Sequence, residues 1–219
     1  MTRHRFALGA ALVALAAATP LSAQIQDWQS KWFWGAKGGV VGYSLPTLGQ
    51  VVSPQFGGEW LITAKRTALY VGYSQSTTQE RDSFAFSGVT GAVPVIFDAM
   101  RRMQVGIVVL PTNGALQPYV GGGFVIETLT NARTDATPAL SSGQQTTVDR
   151  ALQDQSAGGF ALVMAGLQLR MGRKLALYGQ YQGSPQGRSF LLPGSSHSFE
   201  FGLRYAFLGA REDDVTSRR

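Results

Sequence analysis

From Ser198 to Phe207 the chain alternates strictly. Phe199, Phe201, Leu203, Tyr205 and Phe207 occupy one parity, and Ser198, Glu200, Gly202, Arg204 and Ala206 occupy the other. Period-two alternation of this kind marks a strand with two unlike faces. The same period recurs along the chain and predicts eight strands, at about 31–44, 55–64, 67–77, 99–110, 116–129, 157–171, 174–182 and 197–208. No segment carries a convincing helical period. The connections alternate in length. Lys65-Arg66, the stretch Pro111–Ala115 and Gly172-Arg173 make three short turns, while strands 1–2, 3–4, 5–6 and 7–8 are joined by longer polar segments. The longest, 130–156, is rich in Thr, Ser, Gln and Ala and has no core-forming pattern. An even meander with short turns at one rim and long loops at the other predicts an all-β, up-and-down antiparallel barrel spanning a membrane.

Charge follows the same parity. Glu200 and Arg204 lie opposite the aromatic face of the last strand, and Lys37 lies opposite Trp32, Trp34 and Val40. Glu59 opposes Phe56, Trp60 and Ile62, and Arg170 opposes Val163, Leu167 and Leu169. A lipid-facing Arg or Lys at mid-membrane costs about 2–4 kcal/mol, whereas an inward charge can find a partner. Lys37, Glu59, Glu127, Arg170, Glu200 and Arg204 are therefore the expected lumen network. Trp32, Trp34, Tyr43, Trp60, Tyr73, Tyr119, Tyr205 and Phe207 fall towards strand ends, where an interfacial aromatic girdle is expected. A soluble barrel with the opposite sidedness is the competing arrangement.

The N-terminus adds a destination. Arg3 and Arg5 precede an apolar run from Phe6 to Ala18, followed by small residues up to Ala23. That is the plan of a secretory signal peptide, 1–23, too short in its apolar part to anchor in a bilayer. Segment 24–30 is then expected on the periplasmic side, the barrel over 31–208, and a charged periplasmic tail over 209–219. With no cysteine, the chain has no disulfide, thiolate nucleophile or lipoprotein acylation site. The net charge of +6 is scattered rather than banded, which argues against nucleic-acid binding.

Glu200, Gly202, Tyr205 and Phe207 resemble the C-terminal assembly signal of bacterial outer-membrane β-barrels, although the chain continues to Arg219. In layout the whole mature chain is similar to the small eight-stranded outer-membrane barrels of the outer-membrane protein A, X and W types. The resemblance implies residence in the outer membrane, contact with its lipids and lipopolysaccharide, and recognition by the barrel-assembly machinery.

An eight-stranded barrel is just wide enough for side chains to fill it. A structural role, surface binding, or narrow small-solute passage is therefore the expected function, with no cofactor. Segment 83–97 is unusually apolar for a loop. Phe84, Phe86, Val93, Ile96 and Phe97 could line a hydrophobic site at the outer rim, extend strands 3 and 4, or fold over the mouth as a plug. An outer-membrane lipid-modifying enzyme would need a nucleophile and a base, and Ser195 and His197 share a face. Serines are common in such loops, Ser196 and Ser198 point away from His197 in an extended strand, and the His-x-Ser arrangement of the lipid-modifying barrels is not reproduced, so a non-enzymatic role is the expectation. A soluble periplasmic ligand-binding barrel is the other alternative.

Overall fold

The structure, a computed structural model, describes residues 31–135, 140–172, 174–187 and 189–209. The expected signal peptide, segment 24–30 and the expected tail beyond Gly209 lie outside the described residues. Eight long strands close into an antiparallel barrel: β1 (Lys31–Leu45), β2 (Gly49–Thr63), β3 (Thr67–Ser76), β6 (Ala99–Val109), β7 (Leu116–Thr130), β9 (Ala157–Met171), β10 (Leu175–Pro185) and β11 (Ser195–Gly209). Closure pairs the first strand with the last, from Lys31 opposite Gly209 to Gly42 opposite His197. The curvature needs bare backbone at inward positions. A Cβ on Gly39 would collide with the carbonyl of Phe199, and one on Gly57 with that of Tyr73.

The two faces are cleanly sorted from Ser198 to Phe207 along β11. Its outward residues run from 39 % exposed at Tyr205 to 68 % at Phe201, while Ser198, Glu200 and Arg204 are at most 1 % exposed. Val105, Ile107, Val120, Phe124, Val163 and Leu167 continue the apolar exterior on the neighbouring strands. A water-soluble barrel requires the reverse, so the soluble reading is overturned. Among the described residues no helix is long and apolar enough to cross a membrane. On the exterior near the short-turn rim Trp34 stacks on Trp60 and Trp32 meets it edge-on, as Tyr205 meets Phe207. Tyr43 and Tyr119 leave the expected girdle: both are buried on the inner parity.

Three connections differ from expectation. The link between β1 and β2 is not a long loop but the three residues Pro46–Leu48, because β2 begins at Gly49 and runs through Pro54. Proline is tolerated there because pairing with β3 begins only at Gln55, and the Pro54 carbonyl accepts from the Thr77 amide at 3.0 Å. Segment 83–97 does not extend the barrel strands. β4 (Glu80–Ala85) and β5 (Ala92–Phe97) form a hairpin, joined by β8 (Arg133–Thr134) into a separate three-stranded sheet. Within the supposedly patternless 130–156, helix α1 spans Ser142–Gln155. A capping box starts it, with the Ser141 side chain on the Gln144 amide and the Gln144 side chain on the Ser141 amide. Val148 and Leu152, one turn apart, are its buried stripe.

Candidate functional site

The lumen is where the inner parity of small and charged positions converges in space, and ion pairs form its centre. Lys37, on β1, places Nζ 3.0 Å from Glu200 Oε2 on β11, and also donates to Tyr70 OH at 2.9 Å and Gln104 Oε1 at 2.8 Å. Glu200 is further held by the side-chain amides of Gln55, Gln180 and Gln182, at 3.0, 2.7 and 3.2 Å. Arg204 donates to Glu59 through Nε and to Gln168 Oε1 through Nη1 at 2.9 Å. Its guanidinium lies 3.7 Å from the centre of the Tyr178 ring. Nearer the loops, Arg102 pairs with Glu127 at 3.0 Å and donates to Ser198 at 2.9 Å. Ser196 and Gln186 each donate to Glu127 at 2.7 Å.

The polar chain reaches both rims. Gln117 donates to the Thr112 carbonyl in the β6–β7 turn and accepts from Gln168. Gln186, at the other end, belongs to the β10–β11 loop. Every charged member of the three pairs is at most 5 % exposed, and Arg102 and Glu127 are wholly inaccessible. The lining of a water-filled pore would keep accessible surface; this lining does not.

Five of the six predicted lumen residues, Lys37, Glu59, Glu127, Glu200 and Arg204, are brought together in these pairs. Arg170 is only half buried, near the short-turn end of β9, where its amide donates to the Ala115 carbonyl. Sequence reasoning missed Arg102, Tyr70 and Gln104. Their signal was parity: Met103, Val105, Ile107 and Val109 fix the outward face of β6, which leaves Arg102 and Gln104 inside. Of the assembly-signal residues, Glu200 points inward and Tyr205 and Phe207 outward. A Cβ at Gly202 would strike the Tyr178 ring.

The mouth at the long-loop end is covered. Phe84, Phe86, Val93 and Phe97 are buried, with Phe97 6.4 Å from the Tyr43 ring of β1. Ile96, on the other parity of β5, is half buried. Of the arrangements open to this segment, the side chains adopt the packed one rather than an open hydrophobic site. The other loops bond to one another and to the sheet that carries the cover. The Leu191 amide donates to the Gln155 carbonyl at 2.9 Å, and Phe190 meets Phe160 at 5.3 Å between ring centres. The Thr47 amide donates to Asp82 at 2.8 Å. Hydrogen bonds from Asn131, Gln79 and Arg133 hold the Asp98 carboxyl down at about 2.

On the exterior of the same rim, Ser195 Oγ lies 2.8 Å from His197 Nε2, and His197 Nδ1 lies 2.6 Å from Tyr181 OH. The third group is a phenol where hydrolytic triads carry an acid. Among the described residues no three His, Asp or Glu side chains group as a metal site.

A closed β-barrel with an apolar outer band, girdling aromatics and a charged interior is a membrane barrel of outer-membrane type. No protein-family model matches the sequence, and no curated protein matches it either. Solved structures share the fold. The N-terminal β-barrel domain of Pseudomonas aeruginosa OprF matches over 82 % of this chain and 98 % of its own, at 13 % identity and a TM-score of 0.50. Neisserial surface protein A matches over 80 % of this chain and 97 % of its own, also at 13 % identity, with a TM-score of 0.55.

Proposed function

We propose that this chain is a non-conducting, non-enzymatic barrel of the bacterial outer membrane, which anchors a rigid folded cap at the cell surface. It is exported by a signal peptide over 1–23 and assembled through Glu200, Gly202, Tyr205 and Phe207, with its short turns in the periplasm. The lipids and lipopolysaccharide of that membrane are its standing partners, and the cap is the surface offered to others. The observation that carries this reading is the inaccessibility of the lumen. Three buried ion pairs occupy the interior where a solute path would run. Narrow small-solute passage is the alternative that this filled interior disfavours. Planar-bilayer recording of the refolded full-length mature protein tests it. No unitary conductance is expected, and reproducible channel openings would overturn the sealed-lumen reading.

A second reading has one observation in its favour, the Ser195–His197–Tyr181 contact at the level where outer-leaflet acyl esters lie. The tautomer with its proton on Nδ1 would leave Nε2 to accept from the serine, as a general base does. Mass spectrometry of lipid A from cells with and without the protein decides between the two. An unchanged acyl pattern is expected; a changed pattern that His197→Ala abolishes would make the chain a lipid-modifying enzyme.

A further inference from the structure

The strand register draws the outer edge of the apolar band residue by residue. On three adjacent strands, Val71, Val105 and Phe124 lie side by side facing out, and above them come Tyr73, Met103 and Ile126. The next outward positions are Gln75, Arg101 and Thr128. The exterior thus turns from apolar to polar in one step, with a single cation at its centre. Met103 and Ile126, just beneath, are more than half exposed and end the acyl-chain zone.

Arg101 is exposed but not free to wander. Its Nε donates to Gln75 Oε1 at 3.0 Å, and the same oxygen accepts from Tyr73 OH at 3.0 Å. Nε is its one side-chain nitrogen with a protein partner among the described residues, so the two terminal nitrogens of the fork remain to be used. Asp98, three residues earlier, is already held by Gln79, Asn131 and Arg133. A planar guanidinium fixed at one corner presents paired donors that match phosphate geometry. Its neighbour Arg102, on the opposite parity, is committed to Glu127 inside the barrel. One of two consecutive arginines thus belongs to the lumen and the other to the membrane surface.

We infer that Arg101, steadied by Gln75 and Tyr73, is a binding site for the phosphate of a phosphorylated outer-leaflet glycolipid, whose acyl chains lie along Met103 and Ile126. This rests on the outer-membrane reading and on the long-loop rim facing outward. The shared chemistry is a phosphate anion, and a free phosphate is the rival source.

The test is native mass spectrometry of the folded full-length mature protein in detergent, with bisphosphorylated lipid A, dephosphorylated lipid A or inorganic phosphate as probes. Heat-modifiable gel mobility confirms that each variant is folded, which separates failure of the site from failure of the barrel reading. Wild type should retain bisphosphorylated lipid A in preference to the dephosphorylated form. Arg101→Gln should weaken that retention about five- to tenfold, as expected for one cation or charged hydrogen bond at a membrane surface. Arg101→Lys should fall between, and Arg150→Gln, on the exposed side of helix α1, should match wild type. The inference is overturned if Arg101→Gln retains the lipid like wild type, if both lipid A forms bind equally, or if inorganic phosphate competes at the same concentration as lipid A.

Discussion

The pair Arg102–Glu127 offers the sharpest test of a desolvated lumen, because its two halves are unequally supported. Glu127→Leu leaves the guanidinium with Ser198 as its one remaining hydrogen bond, since Nη2 already has no partner among the described residues. Arg102→Met leaves the Glu127 carboxylate with two donors, Ser196 and Gln186. Removing one member of a buried pair costs roughly 3–5 kcal/mol, and the less supported survivor belongs at the upper end. Glu127→Leu should therefore cost about 5 kcal/mol and Arg102→Met about 3. The double variant removes both charges and leaves only neutral groups short of partners, at about 1–3 kcal/mol. It should be more stable than the Glu127→Leu single. Urea titration in phospholipid vesicles, followed by tryptophan fluorescence and gel mobility, measures all three. If the two singles cost the same, or if their effects add in the double within about 0.5 kcal/mol, the pair is not a buried, mutually dependent unit and the dry lumen is wrong.

Val105→Arg puts a cation in the middle of the apolar band and should cost about 2–4 kcal/mol in vesicle-based urea titration, whereas Arg101→Ala, at the band's edge, should fall within about 1 kcal/mol of wild type. Gly39→Val should block closure of β1 on β11, seen as loss of the heat-modifiable band in refolding trials. For Asp98 the folded carboxyl titrates below its unfolded value, so its contribution is present above the ordinary carboxylate range and is lost only as the pH falls towards about 2. Carboxyl NMR shifts of Asp98 should therefore show no protonation between pH 4 and 7, and a midpoint near 4 would contradict the described contacts. Leu152→Asp should open the cap to limited proteolysis within 130–156 while the barrel band on gels persists.

How much of this could be read from the chain alone depended on what each residue is next to. Along β11 and β6 the membrane imposes one rule on every second position, so parity at Phe199 and Val105 carries over to their neighbours. The barrel strands were legible for that reason, and so were most lumen charges. Arg101-Arg102 was not, because two like residues in a row hide which one faces in until the outward set from Met103 is traced. Helix α1 escaped because only Val148 and Leu152 make its apolar stripe; its one clear sequence mark was the Ser141-x-x-Gln144 box. Pro54 and its polar neighbours look like loop, and only the termination of β3 beside them explains a strand there. The apolar loop 83–97 announced a buried fate, but which surface buried it depends on Tyr43 and on loops distant in sequence.

The interior pairs match three positive groups with three negative ones. A voltage across the membrane therefore finds equal and opposite pulls on each of these bonded couples, and little with which to draw one of them along the axis. An envelope under shifting ionic strength or Donnan potential would leave such a cylinder in the same shape, a steady post beneath the segments that face outward.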